Sequence, residues 1–160
     1  MGDSRRFDLF AKVVANNFPP AKFRKVADVA GGKGYLGIAL RERGYGQVTL
    51  FDKRRQHVRV KGIDFRYQYF GPGIKDDFDI LVGMHPDEAT DVIITEAARR
   101  KIPFAVCPCC VKPTAKPFFG QYTYTNWIEH LKRLAIQLGF KLMETVLPMN
   151  GKNIVLVGRP

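Results

Sequence analysis

The order of strand-like and helix-like segments constrains the fold of this chain more than any other feature of its sequence. Short apolar runs rich in Val, Ile and Phe alternate with segments of helical periodicity over most of the 160 residues. Such alternation predicts a mostly parallel sheet with helices on both faces. The last two apolar runs, 141–147 and 153–158, are joined only by the turn PMNGK, which predicts an antiparallel hairpin. We therefore expect a three-layer α/β fold of the Rossmann-like type, with an antiparallel C-terminal hairpin strand.

Turn and capping residues give the expected bounds of the elements. Asp3 or Ser4 is expected to cap a first helix, and Pro86 to occupy the first position of a later one. Asn126 and Glu129, three residues apart, form a capping pair for the last helix. All 160 residues are expected to form one domain. Before the hairpin we expect strands at 25–30, 47–52, 67–70 and 78–84, and a fifth that begins at 102 and ends at Pro108. A helix is expected at 35–43, between the first two strands.

A glycine-rich turn joins the first expected strand to the helix after it. It reads VAGGKGYLG, in which Gly32, Gly34 and Gly37 have the GxGxxG spacing of dinucleotide-binding turns. Asp52 lies 20 residues after Gly32, at the end of the second strand, where a carboxylate can accept hydrogen bonds from ribose hydroxyls. Taken alone, this pattern fits an NAD-dependent oxidoreductase.

Asp28, near the end of the first strand, favours a different nucleoside cofactor. A carboxylate there would repel pyrophosphate, whereas S-adenosyl-L-methionine carries no phosphate. The segments DVAGGKG and LFD resemble the first two motifs of the class I S-adenosylmethionine-dependent methyltransferases, except that Ala30 stands where the first glycine is usual. The resemblance implies S-adenosylmethionine as the cofactor and a sheet that ends in such a hairpin. It also implies cofactor contacts from Asp28, Ala30, Gly32, Gly34 and Asp52.

The segment after the fourth strand, GMHPDEATD, is expected to lie beside the transferred methyl group. His85 is a candidate base or substrate-positioning donor, and Asp87 is a second titratable candidate. Each could instead serve only the local turn or the helix dipole. The segments HPDEATD and PCC are also similar to a branch of the methyltransferase class that includes domains linked to RNA. That similarity points to RNA without naming the methylated atom.

Three cysteines, Cys107, Cys109 and Cys110, lie within four residues of one another. They are too crowded for a disulfide framework, which favours a reducing compartment. They also lack the separated partner pairs of four-ligand zinc sites, so no metal is expected. Cys109 or Cys110 would follow the fifth strand, where the similar cytosine-5 RNA methyltransferases carry an attacking cysteine. Packing as small apolar groups is the alternative for both.

The formal net charge of +11 and the pI near 9.8 favour a polyanionic partner, and nucleic acid first. Basic residues follow the second strand, while lysines mixed with aromatic residues follow the fifth, a combination that suits phosphates and unpaired bases. The alternative packs the aromatic rings into the core and leaves the lysines solvated. The candidate substrate-binding residues are Lys53, Arg54, Arg55, Arg59, Lys116, Phe119 and Tyr122.

These features predict a methyltransferase that acts on RNA, either tRNA or rRNA, with a protein partner supplying part of the RNA recognition. A catalytically silent RNA-binding module of the same fold and an NAD-dependent oxidoreductase remain as alternatives. The sequence has no run of eighteen apolar residues and no signal-peptide pattern, so neither membrane association nor secretion is expected. We expect a cytoplasmic protein, with the nucleus or nucleolus open for a eukaryotic source.

Overall fold

A computed structural model describes residues 2–56, 59–114 and 118–160. Four helices and seven strands alternate in it. The helices are α1 (Arg6–Asn17), α2 (Tyr35–Glu42), α3 (Thr90–Arg100) and α4 (Tyr124–Gln137). The strands are β1 (Lys25–Val29), β2 (Gln47–Phe51), β3 (Ile63–Arg66), β4 (Ile80–Met84), β5 (Phe104–Cys107), β6 (Lys141–Val146) and β7 (Ile154–Arg159).

All seven strands belong to one sheet in the order β3-β2-β1-β4-β5-β7-β6. The first five are parallel, and β7 is antiparallel to both of its neighbours, β5 and β6. The predicted α/β fold with an antiparallel C-terminal hairpin is therefore confirmed. Because β1 and β4 are adjacent while their connections leave in opposite directions, the sheet has a switch point where ligands bind at the carboxyl ends of the strands.

The core lies in two apolar layers, one on each face of the sheet. On one face α1 and α2 pack against the sheet through side chains such as Phe10, Val14 and Leu40. On the other face α3 and α4 pack through Ile93, Trp127 and others. These two layers hold the sheet whose carboxyl edge carries the loops that follow the parallel strands. No helix of the described residues is long and apolar enough to cross a membrane.

The third strand is Ile63–Arg66, so the predicted strand at 67–70 is wrong. Phe51 pairs with Arg66 at the last register position of β2, and beyond that position β2 offers no further partner. Tyr67 and Tyr69 are consequently exposed, while Phe70 turns into the core.

Three predicted helix starts also differ from the structure. Thr123 rather than Asn126 caps α4, because its extended backbone lets its hydroxyl accept from the Asn126 N–H at 3.2 Å. The helix after Pro86 begins only at Thr90, behind a short 3-10 turn, since Asp87 has a positive φ that helical backbone excludes. At α1 the N-cap is Arg5, which makes no side-chain capping bond.

Candidate functional site

The glycine-rich turn between β1 and α2 lies over the buried carboxylate of Asp28. Asp28 is fully buried, and neither of its oxygens has a hydrogen-bond partner of normal geometry among the described residues. Burial raises the pKa of its carboxyl group to about 7, and the charge of Asp52 adds to the increase. Asp28 therefore supports the turn from beneath and does not line the open pocket beside it.

Close contact makes glycine necessary at Gly31. A Cβ atom there would lie 2.5 Å from Oδ2 of Asp28 and 2.6 Å from Cγ of Leu50. Gly32 and Gly34 instead have positive φ values of 57° and 89°, which glycine adopts without strain. Among the described residues other than Gly32 and its two chain neighbours, no atom lies within 4 Å of where a Cβ of Gly32 would stand, so the backbone faces open space there.

Ala30 also has a positive φ, 58°, at the position where the resembling motif has glycine. An alanine in this region costs about 1–2 kcal/mol relative to its preferred conformations. Its N–H donates to the Phe51 carbonyl at 2.7 Å, which fixes the start of the turn against β2. The strained conformation is therefore held by the sheet.

Asp52 follows β2 and reaches back to the glycine turn. Its Oδ2 accepts from the Gly32 N–H at 2.9 Å, and its Oδ1 accepts from the Arg54 N–H at 2.9 Å. The Arg54 guanidinium also contacts both carboxylate oxygens. Burial raises the pKa of Asp52, but the hydrogen bonds from Arg54 and Gly32 outweigh it, so the pKa is lowered overall. Asp52 is thus held as an anion.

A small pocket, with a cavity volume of about 80 Å³, opens beside this turn. Ala30 and Asp52 form one side of it, and Pro86 and Asp87 form another. The lining residues that sequence reasoning missed include Gln68, Tyr69, Phe70 and Glu88. Three of them fall in the segment mistaken for a strand, and recognising that segment as the loop after β3 would have placed them at this edge.

His85 is joined to the C-terminal hairpin. Its Nε2 lies 2.8 Å from the Lys152 carbonyl oxygen, which only accepts, so the proton is on Nε2 and Nδ1 keeps its lone pair in the neutral ring. Burial lowers the pKa of His85, which favours that neutral form near pH 7. His85 also has a positive φ of 52°, and its N–H donates to the Cys107 carbonyl at 2.9 Å. The geometry suits a structural link and leaves one nitrogen able to accept a proton.

Asp87 lies among the cysteines that follow β5. One carboxylate oxygen of Asp87 and the sulfur atoms of Cys109 and Cys110 all lie within 4.8 Å of one another. Lys112 contacts the Asp87 carboxylate at 2.7 Å. Burial raises the pKa of the Cys109 thiol, which disfavours a free thiolate nucleophile. Cys107 is buried, and its thiol lies 3.5 Å from the Lys152 carbonyl oxygen, so its place is structural.

The basic candidate residues that follow β2 differ in their surroundings. Lys53 pairs with Glu88, and Arg54 pairs with Asp52, so both belong to the wall of the pocket. Arg55 stacks over the Tyr67 ring, with 5.9 Å between its guanidinium carbon and the ring centroid. Arg59 is exposed beside β3.

The aromatic candidates divide between core and surface. Phe119 is 82% exposed and Tyr122 is 65% exposed, so both rings are available to a partner. Trp127 is fully buried, and Phe118 packs against it at 5.7 Å between centroids. Lys116, also predicted to bind substrate, lies outside the described residues.

Two curated relatives match 86% of the chain. Both are described as probable tRNA (uracil-O(2)-)-methyltransferases; the Caenorhabditis elegans protein is 28% identical over 168 residues and the Caenorhabditis briggsae protein 27% over 165. The chain spans only 28% of the length of either relative. No protein-family model matches it.

Solved methyltransferase structures share the fold over nearly the whole chain. The ribosomal protein L11 methylase of Lactobacillus delbrueckii subsp. bulgaricus superposes with a TM-score of 0.70, covering 99% of this chain and 79% of that one at 15% identity. Human N-acetylserotonin methyltransferase, in complex with SAM, gives 0.62, covering 93% of this chain and 51% of that one at 16% identity.

Proposed function

We propose that this chain, which has the fold of the class I S-adenosylmethionine-dependent methyltransferases, transfers a methyl group from S-adenosylmethionine to RNA, with tRNA as the preferred acceptor. The observation that carries the proposal is the pocket whose wall is formed by Ala30 of the glycine turn and by Asp52, which is hydrogen-bonded to that turn. It lies at the carboxyl edge of the sheet beside β1 and β4, where this architecture binds nucleoside ligands.

The residues of the pocket fit an adenosine with an amino-acid tail. Asp52 can accept hydrogen bonds from the two ribose hydroxyls, in exchange for its bonds to the exposed Arg54 side chain. Phe70, Pro86 and Ala89 offer apolar surface for the adenine ring, and the Gln68 amide can both donate to and accept from its edge. The open space above Gly32 leaves room for the tail.

The same geometry disfavours a nicotinamide dinucleotide. The common dinucleotide-binding sheet has the order 3-2-1-4-5-6, whereas this sheet inserts β7 antiparallel between β5 and β6. Asp28 lies beneath the turn that would have to hold the pyrophosphate, so any negative charge on it would oppose binding. S-adenosylmethionine has a positive sulfonium and no phosphate, so neither objection applies to it.

The chain has to orient the acceptor and remove its proton when it carries one. When bound, S-adenosylmethionine supplies an electrophilic methyl group on its sulfonium sulfur. In our proposal His85 accepts the acceptor's proton on Nδ1, while the Lys152 carbonyl holds the ring through Nε2. This role needs neither a cysteine nucleophile nor a covalent protein–RNA bond.

RNA as the acceptor rests on three observations. The net charge is +11, the rings of Phe119 and Tyr122 are exposed, and the two curated relatives are described as tRNA methyltransferases. Because the chain spans 28% of those relatives, we propose that further protein, in another segment or a separate partner, contributes to choosing the tRNA. The free cysteines suit a reducing compartment, and we propose the cytoplasm.

Calorimetric titration with S-adenosylhomocysteine and, separately, with NAD tests the cofactor. We expect micromolar binding of S-adenosylhomocysteine, no binding of NAD, and loss of at least tenfold in affinity in Asp52→Ala. Asp64→Ala is the matched control, because Asp64 is an exposed carboxylate that pairs with Arg66, two residues along the same strand. Binding of NAD alone would contradict the proposal.

Methyl transfer from labelled S-adenosylmethionine to bulk tRNA tests the activity. We expect incorporation by the wild type, alone or with extract from the source organism, and none by Asp52→Ala. If the chain binds tRNA but not S-adenosylhomocysteine, it is instead an RNA-binding module without catalysis. The bonds that already occupy Asp52 and the strained Ala30 favour that second candidate.

A further inference from the structure

The strands β4 and β5 end side by side, and the loops after them bring two thiols and a carboxylate together. Met84 pairs with Cys107 at the last register position of the two strands. Three residues after Met84 comes Asp87, and two and three residues after Cys107 come Cys109 and Cys110. Their ligand atoms lie within 4.8 Å of one another, close enough for the three groups to converge on one metal ion.

We propose that Asp87, Cys109 and Cys110 form a binding site for a soft divalent cation of the zinc class. Thiolate sulfur and carboxylate oxygen are both established zinc ligands, and two thiolates select against magnesium and calcium. Three protein ligands leave the fourth position of a tetrahedral set for water or for a group of a bound molecule. The sequence alone predicted no metal, because it gave no sign that Asp87 would stand beside the cysteines.

The surroundings of the cluster suit this ion electrostatically. Two thiolates and one carboxylate carry three negative charges, and a zinc ion together with the Lys112 ammonium at 2.7 Å from Asp87 carries three positive ones. Binding releases one proton from each thiol to the solvent, while Asp87 enters as the carboxylate. No redox change takes place.

The backbone holds the cluster in place. The backbone N–H of Asp87 is directed at the Cys109 sulfur, which ties the loop after β4 to the loop after β5. Cys109 is half-buried and Cys110 is exposed, so an ion can enter from solvent without unfolding the chain. Asp87 also lines the cofactor pocket, which places the ion on the wall of that pocket.

Metal binding by the purified chain tests this site and does not depend on methyl transfer. Chelator-treated, reduced protein is titrated with Zn²⁺ against a chromogenic competitor, and with Co²⁺ as a spectroscopic probe. We expect one equivalent of zinc and a sulfur-to-cobalt charge-transfer band. The variants Cys109→Ser and Cys110→Ser should each weaken the band, because one of its two sulfur ligands is removed, and should weaken zinc binding about a hundredfold, the upper end of what loss of a ligand's hydrogen-bond partner costs.

Two variants complete the test. Cys107→Ser is the matched control, because Cys107 belongs to the same segment but lies outside the cluster, and it should retain both zinc and the cobalt band. Asp87→Asn should weaken zinc binding while the charge-transfer band persists, since both sulfurs remain. Circular dichroism checks that each variant is folded. No stoichiometric zinc in the wild type, or unchanged zinc affinity in the Cys109→Ser/Cys110→Ser double variant, would overturn the proposal. S-adenosylhomocysteine titration of the same samples reports separately on the cofactor pocket.

Discussion

The backbone N–H of Gly32 donates to Oδ2 of Asp52 at 2.9 Å, although the two residues follow different strands. This bond ties the glycine turn after β1 to the end of β2, and it orients the Asp52 carboxylate at the mouth of the pocket. The pocket wall is therefore held together before any ligand binds. Its parts should respond differently to substitution, because some are held by packing and others by hydrogen bonds or charge.

Replacing Gly31 by alanine should destabilise the protein much more than the same change at Gly32. At Gly31 the new methyl group would overlap Asp28 and Leu50, and overpacking of this kind costs about 3 kcal/mol. At Gly32 only the positive φ is penalised, by about 1 kcal/mol. Urea denaturation of both variants measures the difference, and equal losses would show that Asp28 does not support the turn from beneath.

Ala30→Gly should stabilise the chain, which is unusual for a glycine substitution. Relief of the positive φ should raise the free energy of unfolding by about 1–2 kcal/mol. The added conformational freedom of the unfolded chain should lower it by about 0.4–1 kcal/mol. The net gain is about 0.5 kcal/mol. Ala98→Gly inside α3 is the control and should cost about 1 kcal/mol. A loss of stability in Ala30→Gly would contradict the strain that we assign to this residue.

Asp28 should make the protein less stable as the pH rises from about 4 to about 7. Its pKa of about 7 in the folded chain lies above the ordinary value of 3.8, so the folded state holds the proton more tightly. Stability from this source is complete below the unfolded pKa and is lost as the pH passes through the folded one, by at most about 1.4 kcal/mol per pH unit.

The comparison of Asp28→Asn with the wild type at several pH values isolates this effect. Between pH 4 and pH 7, the free energy of unfolding of Asp28→Asn should rise steadily relative to that of the wild type. Asp52→Asn supplies a control of opposite sign, because the lowered pKa of Asp52 gives stability that is lost as the pH falls. A stability difference between Asp28→Asn and the wild type that does not vary with pH would refute the raised pKa.

His85→Ala should abolish methyl transfer while S-adenosylhomocysteine still binds within about threefold of wild type. His85 does not line the pocket, so its loss should affect the acceptor's proton more than the cofactor. Removing the bond to the Lys152 carbonyl should also lower stability by about 1 kcal/mol. To separate this mechanism from covalent catalysis, the wild type is tested with 5-fluorocytosine RNA and should form no adduct, whereas an adduct that Cys109→Ser loses would indicate a cysteine nucleophile. Full activity in His85→Ala would remove His85 from the mechanism.

Exposed rings and exposed charges should contribute to RNA binding in distinguishable ways. Phe119→Ala and Tyr122→Ala should each weaken binding by about 1–3 kcal/mol without changing its salt dependence. Arg59→Ala should instead reduce the slope of log affinity against log salt by about 1. Ile136→Ala, an exposed position on α4 that is 60% accessible, is the control. Filter binding to tRNA between about 50 and 200 mM salt measures both the affinity and its salt dependence. An affinity for heparin equal to that for tRNA would argue against RNA recognition.

The sequence by itself determined the fold class and indicated that the glycine turn lies beside Asp52. Strand and helix periods are local properties, so the alternation of elements and the terminal hairpin could be read without a structure. Asp28, the glycine turn and Asp52 could be related because the ends of neighbouring parallel strands meet at one edge. By contrast, the sequence could not decide whether Trp127 is buried. A ring beside a basic loop suits either the core or the surface until the packing of α4 is known.

Only the tertiary structure decided which side chains meet across different loops. Asp87 stands beside Cys109 because β4 and β5 pair in register, and His85 binds Lys152 because the hairpin folds back over the sheet. The third strand ends at Arg66 because β2 has no further residue to pair with it, which leaves Gln68 and Tyr69 to line the pocket. These contacts join residues far apart in the chain, and they depend on register and on positive φ values that neither composition nor periodicity encodes.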